Sequence, residues 1–298
     1  MMIPKFQRIL VSPGTLLPLM YEGTFEGERW KDGRLVDKYG IRSYPVLDGI
    51  PIFVKQSIDE QRIKSYINMC EYYWQMREHR VVRDVSNSYY WNLFSKEATE
   101  SSDTIIDIAS GEEGGFIKGI LHVNPEASVL MSDISYAPLR AWQLLFRRER
   151  LGQNVCFAVF DASDMPIKSN SVDIITCVLF TNTLECDGRA LREIHRVLRP
   201  GGKFFLLDWM NTDEDLREIS SKLPKSELDK WIEKFPLFGI SANMFGDMLR
   251  SLGFEIEVFA EVGKRPLIKG RNGFADLAEK YKIEIQATLW AIKAIKQG

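Results

Sequence analysis

The sequence is poor in the residues that build metal centres and disulfide frameworks. Its 298 residues hold four scattered cysteines, Cys70, Cys156, Cys177 and Cys186, with no C-x-x-C pair, and three distant histidines, His79, His122 and His195. A structural zinc site gathers four such ligands at short spacing, so no metal is expected. Unpaired cysteines fit a reducing compartment, and a cytoplasmic location is the expectation. No stretch approaches the roughly 18 apolar residues of a membrane span. The opening MMIPKFQRILVSPG is broken by Pro4, Arg8 and Pro13, so it does not read as a signal peptide. An excess of one charge is also missing: 39 Lys and Arg face 41 Asp and Glu. That balance lacks the basic footprint of a nucleic-acid binder, and a small-molecule substrate is favoured over RNA.

What is present falls into three zones. Residues 1–55 are rich in Gly and Pro with short apolar runs at Arg8–Val11 and Ile50–Val54, the pattern of a small β-rich module. Residues 56–101 form a helical linker or lid: Ile63, Ile67, Cys70, Tyr73 and Trp74 recur at three- and four-residue intervals, and the aromatic cluster Tyr89-Tyr90-Trp91 follows. Residues 102–298 alternate strand and helix, which predicts an α/β fold with a mostly parallel seven-stranded sheet and helices on both faces. The predicted strands are Thr104–Ile108, Ser128–Ser132, Val155–Phe160, Val172–Val178, Lys203–Asp208, Phe254–Ala260 and Ala287–Ile295. Helices are expected near 115–122, 136–151 and 188–198, and over Asn243–Leu252 between Ser241 as N-cap and Gly253 as C-terminal stop. Residues 211–240 and 263–285 break the alternation and read as insertions.

The chemistry concentrates at strand ends. In T-I-I-D-I-A-S-G-E-E-G-G-F (104–116) an apolar strand ends in Asp107 and enters a small-residue turn that opens a helix. Gly111 and Gly114 permit close ligand approach, and free N–H groups at the helix start favour a negative group. Asp133 ends the second strand, where a carboxylate can accept both ribose hydroxyls, and Asp161 ends the third, where it could accept from an adenine amino group. Ligands of doubly wound sheets lie beyond the carboxyl ends of the strands, so three acids in these places converge on one crevice. A nicotinamide-dependent Rossmann oxidoreductase would share the glycine turn and the acid of the second strand, but does not explain the Asp161 segment.

With these residues in view, 104–209 resembles the class I S-adenosylmethionine-dependent methyltransferases, of the kind that includes the ubiquinone/menaquinone C-methyltransferases. The matching pieces are IIDIASGEEGG, SDIS, FDASDMPIKSNSVDIITCVLFTNTLE and LREIHRVLRPGGKFFLLDW. The resemblance implies a Rossmann-like fold and S-adenosylmethionine as cofactor. It places Asp107, Ala109 and Gly111 against the methionine end, Asp133 at the ribose and Ile134 at the adenine face. Asp161 and Ala162 fall at the adenine edge, with Cys177 and Val178 beside the sulfonium. Where the family has D-x-G-x-G-x-G, this chain has Ala109 in the first Gly position and Glu113 in the third; a one-residue slip would let Gly114 take over. Arg192, Arg196 and Arg199 read as a solvated helix face and His195 as structural. Positioning and desolvation supply most of the rate in such displacements, so no catalytic triad is required. Asp208 is the candidate base, and Tyr73, Tyr89, Tyr90, Trp91, Asn182 and Trp209 are candidates for the acceptor pocket. The Asp/Asn-Pro-Pro-Tyr/Phe motif of adenine-N6 chemistry is absent, with T-N-T-L in its place.

The N-terminal module resembles a cysteine-less zinc ribbon of the methyltransferase-activator family, through L-V-S-P-G-T (10–15) and Y-P-V-L-D-G-I-P-I-F-V (44–54). Ser12 and Thr15 stand where that family has cysteines. The resemblance implies a docking role, toward a protein partner or a second copy, or a structural lid. A non-catalytic methyltransferase-like regulator is the alternative function, kept open by Glu113 and the missing cysteines.

Overall fold

The computed structural model describes residues 2–76, 89–100, 104–180, 188–234, 239–267 and 274–298. A short helix α1 (Pro4–Gln7) leads into an antiparallel sheet of β1 (Leu19–Glu26), β2 (Arg29–Asp37), β3 (Ser43–Leu47) and β4 (Ile50–Pro51), in that spatial order. Two helices follow, α2 (Glu60–Gln75) and α3 (Tyr89–Glu100). The Asp59 side chain caps α2 by accepting from the Gln61 and Arg62 N–H groups.

The large sheet then alternates as β5 (Ile105–Ile108), α4 (Ile117–Val123), β6 (Val129–Asp133), α5 (Tyr136–Glu149), β7 (Val155–Val159), β8 (Val172–Val178), α6 (Arg189–Val197) and β9 (Leu198–Met210). Helices α7 (Asp213–Lys222), α8 (Lys225–Lys234) and α9 (Ala242–Ser251), strand β10 (Phe254–Pro266), helix α10 (Phe274–Tyr281) and strand β11 (Gln286–Lys296) complete it. The seven strands lie in the order β10-β11-β9-β8-β5-β6-β7. β5 through β9 run parallel, while β11 is antiparallel to both neighbours. The expected α/β sheet is therefore present, and its order reverses between β5 and β8, which is the switch point where such sheets bind ligands.

The central strands are buried on both faces: every residue of β5 and β8 is buried, as continuous apolar runs between helix layers should be. Ser241 caps α9 by accepting from the Met244 N–H, and Gly253 follows at φ +90°. Strand β9 begins earlier than the expected Lys203. The chain passes through Pro200-Gly201-Gly202 without leaving the sheet, because Leu198 pairs with Val172 and the register shifts there.

Residues 211–240 and 263–285 hold a third, small core. Ile219 of α7 and Leu223, its C-cap, pack with Phe274 and Ala278 of α10 and with Ile283, and Trp231 meets the Phe274 ring edge-on at 5.4 Å. Two segments distant in sequence thus bury one another's apolar faces.

The N-terminal sheet closes the free edge of β7. The Phe53 N–H donates to the Val159 carbonyl at 2.8 Å, Val11 N–H to Pro166 and Lys168 N–H to Ile9. Met2, Phe6, Leu10, Leu35 and Val46 share one buried cluster with Ile106 and Leu130 of the large sheet and with Ile167 between β7 and β8. Asp48 pairs with Arg140 of α5 at 2.9 Å. Among the described residues no helix is long and apolar enough to cross a membrane. No group of three His, Cys, Asp or Glu side chains gathers there that could hold a metal ion.

The shared core makes a testable statement. Phe6 is fully buried, and Phe6→Ala should cost about 3–5 kcal/mol. In a urea titration followed by tryptophan fluorescence, that loss should shift the one main transition. A small early transition with the main midpoint unmoved would show that the N-terminal sheet melts by itself.

Candidate active site

The switch point opens into a cavity of about 480 Å³ at the carboxyl ends of β5, β6, β7 and β8. That volume falls in the range of small-molecule and cofactor pockets. Its walls come from the loop after β5 (Ala109 to Glu113, and Gly115), from Asp133 and Ile134 after β6, from Phe160 to Ser163 after β7, and from Val178 to Phe180 after β8.

Asp107 sits beneath this loop, fully buried, and does not line the cavity. Its carboxylate accepts from the Ser110 hydroxyl at 2.6 Å, the Thr176 hydroxyl at 2.5 Å and the Phe116 N–H at 3.1 Å. Burial pushes its pKa up to about 6, against the downward pull of those three donors. The Asp107 side chain, which the resemblance places toward the methionine end, points into the fold and holds the loop from below. One N–H expected to face a ligand at the helix start, that of Phe116, is engaged by this carboxylate.

The loop is left-handed at Ala109 (φ +52°), Gly111 (φ +51°), Gly114 (φ +78°) and Gly115 (φ +51°). A Cβ on Gly115 would lie 1.9 Å from Asp107 Oδ2, and one on Gly114 would lie 2.6 Å from the Trp142 ring. A Cβ on Gly111 would meet nothing nearer than 3.9 Å, so that glycine serves conformation and an open wall. The supposed slip from Glu113 to Gly114 is thus replaced by a different division. Glu113 lines the cavity, Gly114 packs on Trp142, and Gly115 lines the cavity while lying against Asp107.

Asp133 stands on the cavity wall, half-buried. Its Oδ2 accepts from the Gly111 N–H at 3.0 Å and its Oδ1 from the Ser135 N–H at 2.9 Å, which ties the ends of β5 and β6 together. Burial raises its pKa, aided by the charge of Glu112 and opposed by those N–H groups. Asp161 accepts from the Ser163 N–H at 2.8 Å and also lines the cavity, beside Ala162. Ile134 presents an exposed apolar side chain at the rim.

Other expected site residues lie elsewhere. Cys177 is fully buried, donates to the Ile108 carbonyl at 3.3 Å and is no wall of the cavity; its neighbour Val178 is. Trp91 stacks on Phe116 at 4.6 Å in the core, because Trp91, Phe94, Ser95 and Ala98 form the buried stripe of α3. Tyr90 packs on Phe94, Tyr89 is exposed, and Tyr73 meets Tyr72 edge-on; none of them reaches the cavity. Asp208 is buried and accepts from the Trp209 N–H at 2.7 Å, while the Arg265 guanidinium sits 4.1 Å from the centre of the Trp209 ring. Asn182, like the rest of T-N-T-L, Cys186 and His79, lies outside the described residues. Arg196 is not part of a solvated face: it donates to the Ile167 and Met165 carbonyls and pairs with Glu193 at 2.7 Å.

Several wall residues carried no signal that the sequence reading used. Leu179 and Phe180 follow β8 past Val178, the position read as its end, and Phe160 follows directly on β7. Gln56, in the segment after β4, accepts from the Tyr136 N–H at 2.8 Å and donates to the Ile134 carbonyl at 3.4 Å. The N-terminal half of the chain thereby reaches the cavity rim.

Two outcomes are expected from the loop. Gly115→Ala should fail to fold or lose most of its stability, since backbone strain and the Asp107 contact act together, whereas Ala109→Gly should be neutral or gain up to about 1 kcal/mol by relieving a left-handed alanine; thermal melts of both variants decide this. The raised Asp107 pKa gives a pH signature. The folded chain holds this proton more tightly than the unfolded chain, so its contribution to stability is full below about pH 4 and fades as pH rises through about 6. Denaturation at pH 4, 5, 6 and 7 should show that decline in the difference between the native chain and Asp107→Asn; an upward trend in that difference would contradict it.

Residues 106–206 match the family model described as a methyltransferase domain, about a third of the chain. The chain is similar to the ubiquinone/menaquinone biosynthesis C-methyltransferase UbiE of Hahella chejuensis, with 28% identity over 40% of this chain and 49% of that protein. It therefore spans about half the length of that relative. The UbiE protein of Rickettsia bellii is 28% identical over 54% of this chain and 72% of its own length. Among solved structures, geranyl diphosphate C-methyltransferase from Streptomyces coelicolor superposes with a TM-score of 0.52 at 13% identity, covering 69% of this chain and 74% of that one. In sequence the middle of this chain is similar to methyltransferase domains, and its sheet shares the Rossmann-like fold of such an enzyme.

Proposed function

We propose that the chain is an S-adenosylmethionine-dependent methyltransferase acting on a small molecule, with carbon as the methylated atom. The observation that carries this reading is the cavity at the switch point, walled by the acids that end β6 and β7 and floored by a loop that Asp107 holds in place. The volume suits an adenosyl ligand, and Asp133 and Asp161 stand where a ribose and an adenine amino group would need acceptors. The similarity to C-methyltransferases supports the choice of carbon and of a small acceptor.

When bound, S-adenosylmethionine supplies an electrophilic methyl group on a sulfonium. The residues of this chain have the task of holding the nucleoside and keeping water out. Asp133, already fixed by the Gly111 and Ser135 N–H groups, offers its remaining lone pairs to the ribose hydroxyls. Asp161 and the Ala162 backbone face the adenine edge, with Ile134 against the ring. Val178, Leu179 and Phe180 give the acceptor side an apolar wall, which suits a neutral, hydrophobic substrate. Those residues would hold a nucleophilic carbon of the acceptor in line with that methyl group and keep water from both. Alignment in a water-poor site contributes on the order of 7–11 kcal/mol to such steps.

Titration with S-adenosylhomocysteine by calorimetry tests the reading. One site is expected, and Asp133→Ala should weaken it about tenfold to a hundredfold, the range for losing hydrogen bonds to a charged group. Unchanged affinity in a folded Asp133→Ala protein would remove Asp133 from the site.

A further inference from the structure

We infer that this cavity selects its ligand by charge as well as by shape: Glu112 and Glu113 make it hold the cationic sulfonium form of the cofactor more tightly than the neutral thioether that methyl transfer leaves behind. The inference rests on the cofactor reading above and concerns two residues that reading does not use.

Four carboxylates line the cavity, Glu112, Glu113, Asp133 and Asp161, and among the described lining residues there is no Lys, Arg or His. Asp133 and Asp161 end strands and are tied by backbone N–H groups. The two glutamates come from a different element. They occupy the middle of the loop after β5, between Gly111 and Gly114, where a small-residue turn alone would serve the backbone. Both are half-buried rather than free in solvent, so their charges act across a medium that screens less than bulk water. Glu112 directly follows Gly111, whose N–H Asp133 accepts, and its charge adds to the upward push of burial on the Asp133 carboxyl.

The ligands differ in net charge in a simple way. S-adenosylmethionine carries a sulfonium, an ammonium and a carboxylate, one positive charge in sum. S-adenosylhomocysteine keeps the ammonium and carboxylate and is neutral overall. On transfer the methyl carbon bonds to the acceptor, and the electron pair of the broken carbon–sulfur bond stays on sulfur. The positive charge therefore leaves the ligand at that moment. A cavity of negative sign attracts what enters and loses that attraction for what remains, which favours product release.

The test is calorimetric titration of the full chain with S-adenosylmethionine, with sinefungin, whose amine replaces the methylsulfonium and keeps the positive charge, and with S-adenosylhomocysteine, each at low and high salt. Both cations should bind about tenfold tighter than the thioether at low salt, equivalent to about 1.4 kcal/mol. The gap should shrink as salt rises. In the double variant Glu112→Gln, Glu113→Gln, the cations should weaken toward the thioether while the thioether holds its affinity. The salt series on the unaltered chain carries the test if that variant does not fold. Equal or tighter binding of the thioether, or a gap indifferent to salt, would overturn the inference while leaving the cofactor reading intact. Failure of all three ligands to bind would overturn both.

Discussion

A carboxylate in the middle of a protein is tolerated only when donors surround it, and the arrangement around Asp107 is built on that constraint. Ser110, Thr176 and the Phe116 N–H converge on its two oxygens, while the Ser132 hydroxyl donates to its backbone carbonyl at 3.1 Å. These donors come from β6, β8 and the loop after β5. One buried group thus joins neighbouring strands on both sides of the switch point and dictates the path of the chain above them. The loop must turn left-handed four times to bring Ser110 and Phe116 to the same carboxylate, which is why small residues crowd there. The cavity is the space that this forced path leaves beyond the strand ends.

The sheet was legible because its signals are local. Apolar runs of strand length, glycine turns and acids at strand ends recur in order, and the helix stop at Gly253 follows from composition alone. The roles of the acids were less legible. Three aspartates end three strands, yet Asp107 turns inward while Asp133 and Asp161 face the cavity. Sequence shows where a strand ends but not which side of the pleat the last residue occupies. The aromatic cluster misled for a related reason. Tyr89-Tyr90-Trp91 draws attention as a group, but the spacing of Trp91, Phe94 and Ala98 already describes a buried helix stripe.

Long-range pairings explain the remainder. Residues 211–240 and 263–285 each lack alternation, so they read as insertions. Their apolar positions make sense only together, as Ile219, Leu223, Phe274 and Ala278 in one small core. Likewise Arg196 looks like a surface cation in its own helix. Its guanidinium instead satisfies two carbonyls of the segment before β8, a contact that no local period announces.

The N-terminal sheet has a mechanical consequence for the site. A parallel sheet leaves its outer strand with unpaired backbone groups, and an uncovered edge invites association. Here β7 is covered by the chain near Phe53, through a backbone hydrogen bond to Val159, just before the cavity wall at Phe160 and Asp161. Three residues after Phe53, Gln56 bonds both sides of the turn that follows Asp133. The same short segment therefore steadies the ends of β6 and β7, the two strands whose terminal acids face the cavity. A module that merely lay against the surface would leave those strand ends to find their own positions. By hydrogen-bonding to both, this one joins the ends of β6 and β7 beside Asp133 and Asp161.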